Sequence, residues 1–184
     1  MRLEEKTTSS KLIYDGKVVK LFEDEVELPN GNPARREYVK HVGAVCILPL
    51  TDDGRVVLER QFRYPFGEIL TEIPAGKLDS PDEDPTAAAL RELREETGIV
   101  PREIVYLGDY LGSPAIFGER IRMFLARGLT YREQHLDEDE FLEVFTMPLD
   151  EAVEKVLSGE IPDGKTQAAV LKVYTILQKE GKKT

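Results

Sequence analysis

The 184-residue sequence predicts an α/β (α+β) fold: a three-layer α/β/α sandwich on a mixed sheet, with an antiparallel β arm at the N-terminus. Three observations predict it. Short strand-like segments lie on both sides of one capped helical segment at residues 85–97. Helical segments also close the chain, so the sheet has a helix available for each face. The N-terminal residues alternate polar and apolar side chains, the pattern of a sheet that buries one side only.

The elements follow in order. In "KLIYDGKVVKLFEDEVELPNGNPARREYV", Asp15-Gly16 is a hairpin signal, and "PNGNP" turns the chain after Val26 and Leu28. Such a meander must lie on something else to be stable. We assign this arm to residues 1–41 and the main domain to 42–184. "GAVCILPL" is almost continuously apolar and predicts a central strand. "TDDG" turns the chain, and the alternating "RVVLERQF" is expected to pair back. "GEILTEIPAGKL" predicts a short strand ending at Pro74-Ala75-Gly76. Asp84 or Thr86 can cap a helix from Pro85 to Thr97, with Gly98 as its stop. "IVYLGDYL", "RIRMFLARGL" and "FLEVFTM" are further strand candidates. "PLDEAVEKVLSG" and "GKTQAAVLKVYTILQK" are helices, the second carrying Ala169, Val170, Val173, Ile176 and Leu177 on one side.

Composition narrows the function. The net charge of -10 repels phosphate backbones, so nucleic acid is not an expected partner. A small anionic substrate is compatible if a metal screens the charge. No segment reads as a signal peptide or membrane span, and the expectation is a cytoplasmic protein that binds no membrane. The one cysteine, Cys46, lies in an apolar run and reads as a core residue.

The unusual segment is "RELREETGI", Arg91 to Ile99. On a wheel advancing about 100° per residue, Glu92, Glu95 and Glu96 fall within roughly 100° of arc. Leu90, Leu93 and Thr97 occupy another side, expected to pack on the sheet. Gathering acids here is locally unfavourable. Glu92 and Glu96 are like charges at i, i+4, costing roughly 0.2–0.5 kcal/mol. Glu95 and Glu96 meet the negative end of the helix dipole, each losing roughly 0.3–1 kcal/mol. Arg91 can offset part of this through Glu95. A solvated helix face is the ordinary explanation for such acids. The preceding turn, "PAGKLDSPDEDP", supplies another: it can bring backbone carbonyls beside the carboxylates. Together these are a ligand set for Mg²⁺ or Mn²⁺.

"GKLDSPDEDPTAAALRELREETGI" resembles the signature of the Nudix hydrolases. From Glu83 through Ile99 the match is complete. Ahead of it, six residues separate Gly76 from Glu83 instead of the family's five, the extra one lying in Ser80–Asp82. The resemblance implies that Glu92, Glu95 and Glu96 hold Mg²⁺ (Mn²⁺ being possible), helped by the carbonyl of Ala75. It makes Glu83 an orienting residue and has Arg91 hold the glutamates by ion pairing. Glu92 and Glu96 thereby count among the catalytic residues.

Four further segments are similar to the ADP-ribose and nucleotide-sugar pyrophosphatase branch: "ERQFRYPFGEILTEIPAGKLD", the region of Pro114 in "LGSPAIFGERIRMFLA", "HLDEDEFLEV" and "GEIPDGKTQAAVL". Ala115 departs from a glycine usual in that branch. The branch implies Mg²⁺-dependent hydrolysis of ADP-ribose to AMP and ribose 5-phosphate. The same chemistry on ADP-glucose or GDP-mannose is the alternative. A non-catalytic nucleotide- or metal-binding module is a rival of another class, against which the intact acids argue. Arg63, at a strand end before Pro65, is expected to take phosphate oxygens bidentately. The resemblance places the general base in the late loop, Glu140 first and Glu138 in reserve. It also implies a homodimer in which Arg35 and Arg36 of the arm reach the partner subunit's site.

Overall fold

The structure is a computed structural model that describes residues 3–136 and 140–181. The chain divides into two units, Met1–Gly43 with Leu111–Arg120, and Ala44–Tyr110 with Ile121–Thr184.

In the first unit, β1 (Lys6–Asp15), β2 (Lys20–Glu27) and β3 (Pro33–Lys40) form an antiparallel sheet in that order. The turn after Asp15 is longer than a two-residue Asp-Gly hairpin: Gly16 N donates to Val19 O at 2.9 Å. In the second turn Gly31 adopts φ 84°, and Asn30 Oδ1 accepts from the Asn32 amide. Phe22 and Tyr38 face each other across β2 and β3 and stack at 5.6 Å. Every residue of β1 is exposed. Residues 111–120 belong with this arm: Val39 donates to Ile116 O, and Gly118 donates to Val39 O, both at 2.8 Å.

The second unit has two sheets. One orders β7 (Ala75–Lys77), β4 (Ala44–Pro49), β9 (Ile121–Tyr131) and β8 (Ile99–Tyr110); β4 and β9 are parallel and the other pairs antiparallel. The other is antiparallel, with β5 (Arg55–Arg63) between β10 (Leu142–Pro148) and β6 (Glu68–Glu72). The mixed sheet expected from the sequence is present, and β4 is central and buried at every position.

Two details differ from the sequence expectation. β5 does not pair back on β4, because β7 and β9 occupy both edges of β4; just past β4, Leu50 bridges Val56 and Thr51 N donates to Arg55 O at 2.8 Å. The segment around Pro74 makes two strands instead of one, and the chain changes sheet between Glu72 and Ala75.

Alternate residues of β4 serve two cores. Ala44, Cys46 and Leu48 pack with α2 (Leu149–Ser158) and α3 (Gly164–Gly181). Val45 and Ile47 pack with α1 (Pro85–Thr97). That alternation is the period of a strand buried on both faces, and it yields the α/β/α layering. Asp84 caps α1 by accepting from Ala87 N at 2.8 Å, and Gly98 ends it at φ 70°. No helix among the described residues is long and apolar enough to cross a membrane.

Candidate active site

The buried stripe of α1 keeps Leu93, as the wheel predicts, but is turned away from Leu90. Leu90 is 38% exposed, whereas Ala88, Ala89, Leu93 and Glu96 are buried. Small alanines form the contact with β4, so the packed arc turns toward the acids. Glu96 therefore enters the interior, only 2% exposed, and its Oε2 accepts from the Ala75 amide at 3.0 Å. β7 runs beside the helix at this point. A Cβ on Gly76 would lie 1.9 Å from Glu92 Cδ, so the carboxylate rests where a side chain would be. The extra residue before Glu83 leaves this contact in place. Glu83 sits at the far end of the turn, with Oε2 accepting from Asp79 N at 2.6 Å.

Arg91 organises the outer carboxylates. Its Nη1 donates to Glu92 at 2.8 Å and to Glu95 at 3.2 Å, and Nε reaches Glu83 at 3.3 Å. The loop after β9 closes the helix end. Arg132 N donates to Gly98 O at 2.7 Å, His135 N donates to Glu95 O at 3.0 Å, and the Gln134 side chain donates to Glu96 O. These bonds satisfy carbonyls that a helix C-terminus leaves open. They also anchor the start of the loop whose end carries Glu140.

Glu92, Glu95, Glu96 and Glu140 line one cleft of about 550 Å³ together with Ala75, Gly76 and Arg63. Glu138 lies outside the described residues, as do Asp137 and Asp139. Arg35, Arg36 and Pro114 belong to the arm unit. Arg36 forks onto Glu5, and Arg35 is 3.9 Å from Glu23. Arg63 does line the cleft, but its fork is already engaged: Nε and Nη2 donate to the two oxygens of Glu72 at 2.6 and 2.8 Å.

Among the described residues of the second unit, three buried charged residues escaped the sequence analysis: Glu59, Glu72 and Lys165. Glu72 holds both Arg63 and Lys165, and Lys165 also reaches Asp163 at 3.1 Å. Glu59 is fully buried on β5, and neither of its oxygens has a hydrogen-bond partner. The available signal was its phase in "RVVLERQF". Glu59 shares a face with Val57, which packs against α1.

The electrostatics set the two groups apart. Burial, then the charges of Glu59, Glu92 and Glu140, push the Glu96 carboxyl up to about 10. Burial and Glu72 push Glu59 up to about 8. Glu92 is also raised, burial outweighing its pairing with Arg91. Glu72 moves the other way: burial would raise it, but the Arg63 hydrogen bonds and the Lys165 charge hold it below the ordinary range.

Among the described residues no three acidic, His or Cys side chains stand close enough together to hold an ion as they are placed. The donor set nonetheless suits a hard divalent cation. It consists of carboxylate and carbonyl oxygens of the residues that line one cleft.

The NUDIX domain family matches residues 39–168, and the nucleoside diphosphate sugar hydrolase N-terminal domain matches residues 5–39. The chain is 44% identical over 170 residues to an ADP-ribose pyrophosphatase of Bacillus subtilis, covering 91% of each chain. It is 43% identical over 169 residues to a methanol dehydrogenase activator of Bacillus methanolicus, again covering 91% of each. A solved ADP compounds hydrolase shares the fold with a TM-score of 0.87 over 98% of both chains, at 21% identity. The glutamate-bearing helix, its Gly76 cradle and these likenesses lead to one conclusion: the chain belongs to the NUDIX domain family.

Proposed function

We propose that this protein hydrolyses the diphosphate of ADP-ribose to AMP and ribose 5-phosphate. One observation carries the proposal: Glu92, Glu95, Glu96 and Glu140 meet Ala75 in a single cleft. The name of the Bacillus subtilis relative supports the choice of substrate. Glu92, Glu95, Glu96 and the Ala75 carbonyl would hold Mg²⁺, or Mn²⁺ in its place. When bound, it neutralises the diphosphate and lowers the pKa of the attacking water. Glu140 takes that water's proton as the P–O–P bridge breaks, with Glu138 as the second candidate. Arg91 keeps Glu92 and Glu95 in place through its ion pairs. Arg63 draws the diphosphate to the cleft wall with a charge that is itself positioned by Glu72.

The arm supports a cytoplasmic homodimer. Leu12, Ile13, Tyr14 and Val18 are between 44% and 60% exposed, an apolar surface that a second copy would cover. Arg35 and Arg36 then act at the adenine end of the partner subunit's site, and Pro114 is a further substrate-binding residue. Light scattering should give twice the 20.8 kDa chain mass.

The test is product analysis. The protein is incubated with Mg²⁺ and ADP-ribose, ADP-glucose or GDP-mannose in turn. AMP and ribose 5-phosphate should come from ADP-ribose with the highest kcat/KM, and EDTA should stop their release. Preferred turnover of another nucleotide sugar would reassign the substrate. Tight binding without product would make the protein a binding module.

A further inference from the structure

Glu59 has no role in the signature or in the hydrolysis above, yet its placement is costly. A carboxylate removed from water without a partner costs several kcal/mol when ionised. The nearby cations are already committed: Arg63 and Lys165 both bind Glu72, and Lys165 also binds Asp163. Glu72 stands directly opposite Glu59 in the β5–β6 register, a like charge.

The packing gives Glu59 a direction. Val57 on β5 and Leu93 on α1 share one core. Two residues along the strand from Val57 is Glu59, and three along the helix from Leu93 is Glu96. Glu59 shares the Val57 face of β5, and Glu96 lies one turn on from Leu93 along α1, so both acids border that core. Among the carboxylates acting on Glu96, Glu59 acts most strongly. Glu59 is thus a buried neighbour of Glu96, outside the lining of the cleft itself.

We propose that Glu59 is a further ligand, directly or through one water, for the divalent cation held by Glu96. This rests on the cation assigned to the cleft above. An ion shared by the two acids would give Glu59 the direct partner that Lys165 and Arg63, bound to Glu72, do not. It would join Glu59 and Glu96 through metal and make the strand β5 a part of the metal site.

The experiment measures Mn²⁺ binding to the full-length chain by calorimetry and by electron paramagnetic resonance, for wild type, Glu59→Gln and Glu59→Leu. Both variants should lower Mn²⁺ affinity by about tenfold or more. Without metal both should melt above wild type, because a buried acid is gone, and Mn²⁺ should raise their melting temperatures less. Glu59→Leu leaves an apolar wall, so agreement between the variants separates ligation from packing. Wild-type affinity in either variant would overturn the proposal and leave Glu59 as a buried neutral acid. No Mn²⁺ binding by wild type would overturn the cation assignment itself, and this proposal with it.

Discussion

Glu59 and Glu72 face each other on adjacent strands, both almost wholly buried, and they titrate in opposite directions. Glu72 is met by Arg63 and Lys165, so its charge is balanced inside the chain. Glu59 has no hydrogen-bonded partner, and the charges of Glu72 and Glu140 act against its ionisation. Burial alone therefore does not tell a structural carboxylate from a functional one. What separates them is whether the protein supplies its own counter-charge. A balanced acid stabilises the fold as it stands, whereas an unbalanced group invites an ion from solution.

Substitutions should split along that line. On the unbalanced side the loss is chemical. Glu140→Gln should lower kcat for ADP-ribose by about 10²–10⁴, the usual contribution of a positioned base. Its Mn²⁺ affinity should stay near wild type. An unchanged kcat would move the base to another carboxylate, with Glu138 the next to test. Glu96→Gln should lower activity on the order of a hundredfold and weaken Mn²⁺ binding. The amide oxygen can still accept from Ala75 N, so folding should persist, and relief of repulsion should raise the metal-free melting temperature. Near wild-type turnover in this variant would break the metal assignment.

That division was only half legible in the sequence. The trio on α1 and the turn before it are contiguous, and their spacing reports a shared function. Glu59, Glu72 and Lys165 come from separate elements, and only the pairing of β5 with β6 and the packing of α3 bring them together. The wheel on α1 misplaced Leu90 because it is more hydrophobic than alanine, whereas close helix–strand contact favours the smaller Ala88 and Ala89. The apolar run located the central β4, and local cap chemistry offered Asp84 or Thr86 at the start of α1 and Gly98 at its end, of which Asp84 is the cap. The partner of β5 was misassigned, because a short turn implied a hairpin while β7 and β9 compete for β4 over long sequence distances. For Arg63, a strand end beside proline was readable, but its commitment to Glu72 was not.

On the balanced side the loss should be structural. Glu72→Gln removes the charge that holds Arg63 and Lys165, leaving the Lys165 ammonium buried with Asp163 as its remaining partner. Breaking such a pair from one side costs about 3–5 kcal/mol, and the partial exposure of Arg63 favours the lower end. Urea denaturation should show the fall in midpoint at constant slope. Mn²⁺ affinity should change less than in Glu59→Gln. A larger metal defect in Glu72→Gln would erase the distinction between the two acids.

The smallest effect should appear in acid. The folded Glu72 carboxyl lies below its ordinary value of 4.5, so the unfolded chain binds the proton more readily. The stabilisation it gives is complete above that value and is lost as pH falls through the folded pKa. Glu72→Gln has no proton to bind at this position. The stability gap between wild type and Glu72→Gln should therefore be constant above about pH 5 and narrow as the pH is lowered further. Denaturation midpoints of the two proteins along an acid series measure it directly. A gap that stays constant into strong acid would mean that Glu72 is protonated or unpaired in the folded chain, and that the counter-charge of Arg63 and Lys165 is directed at Glu59 instead.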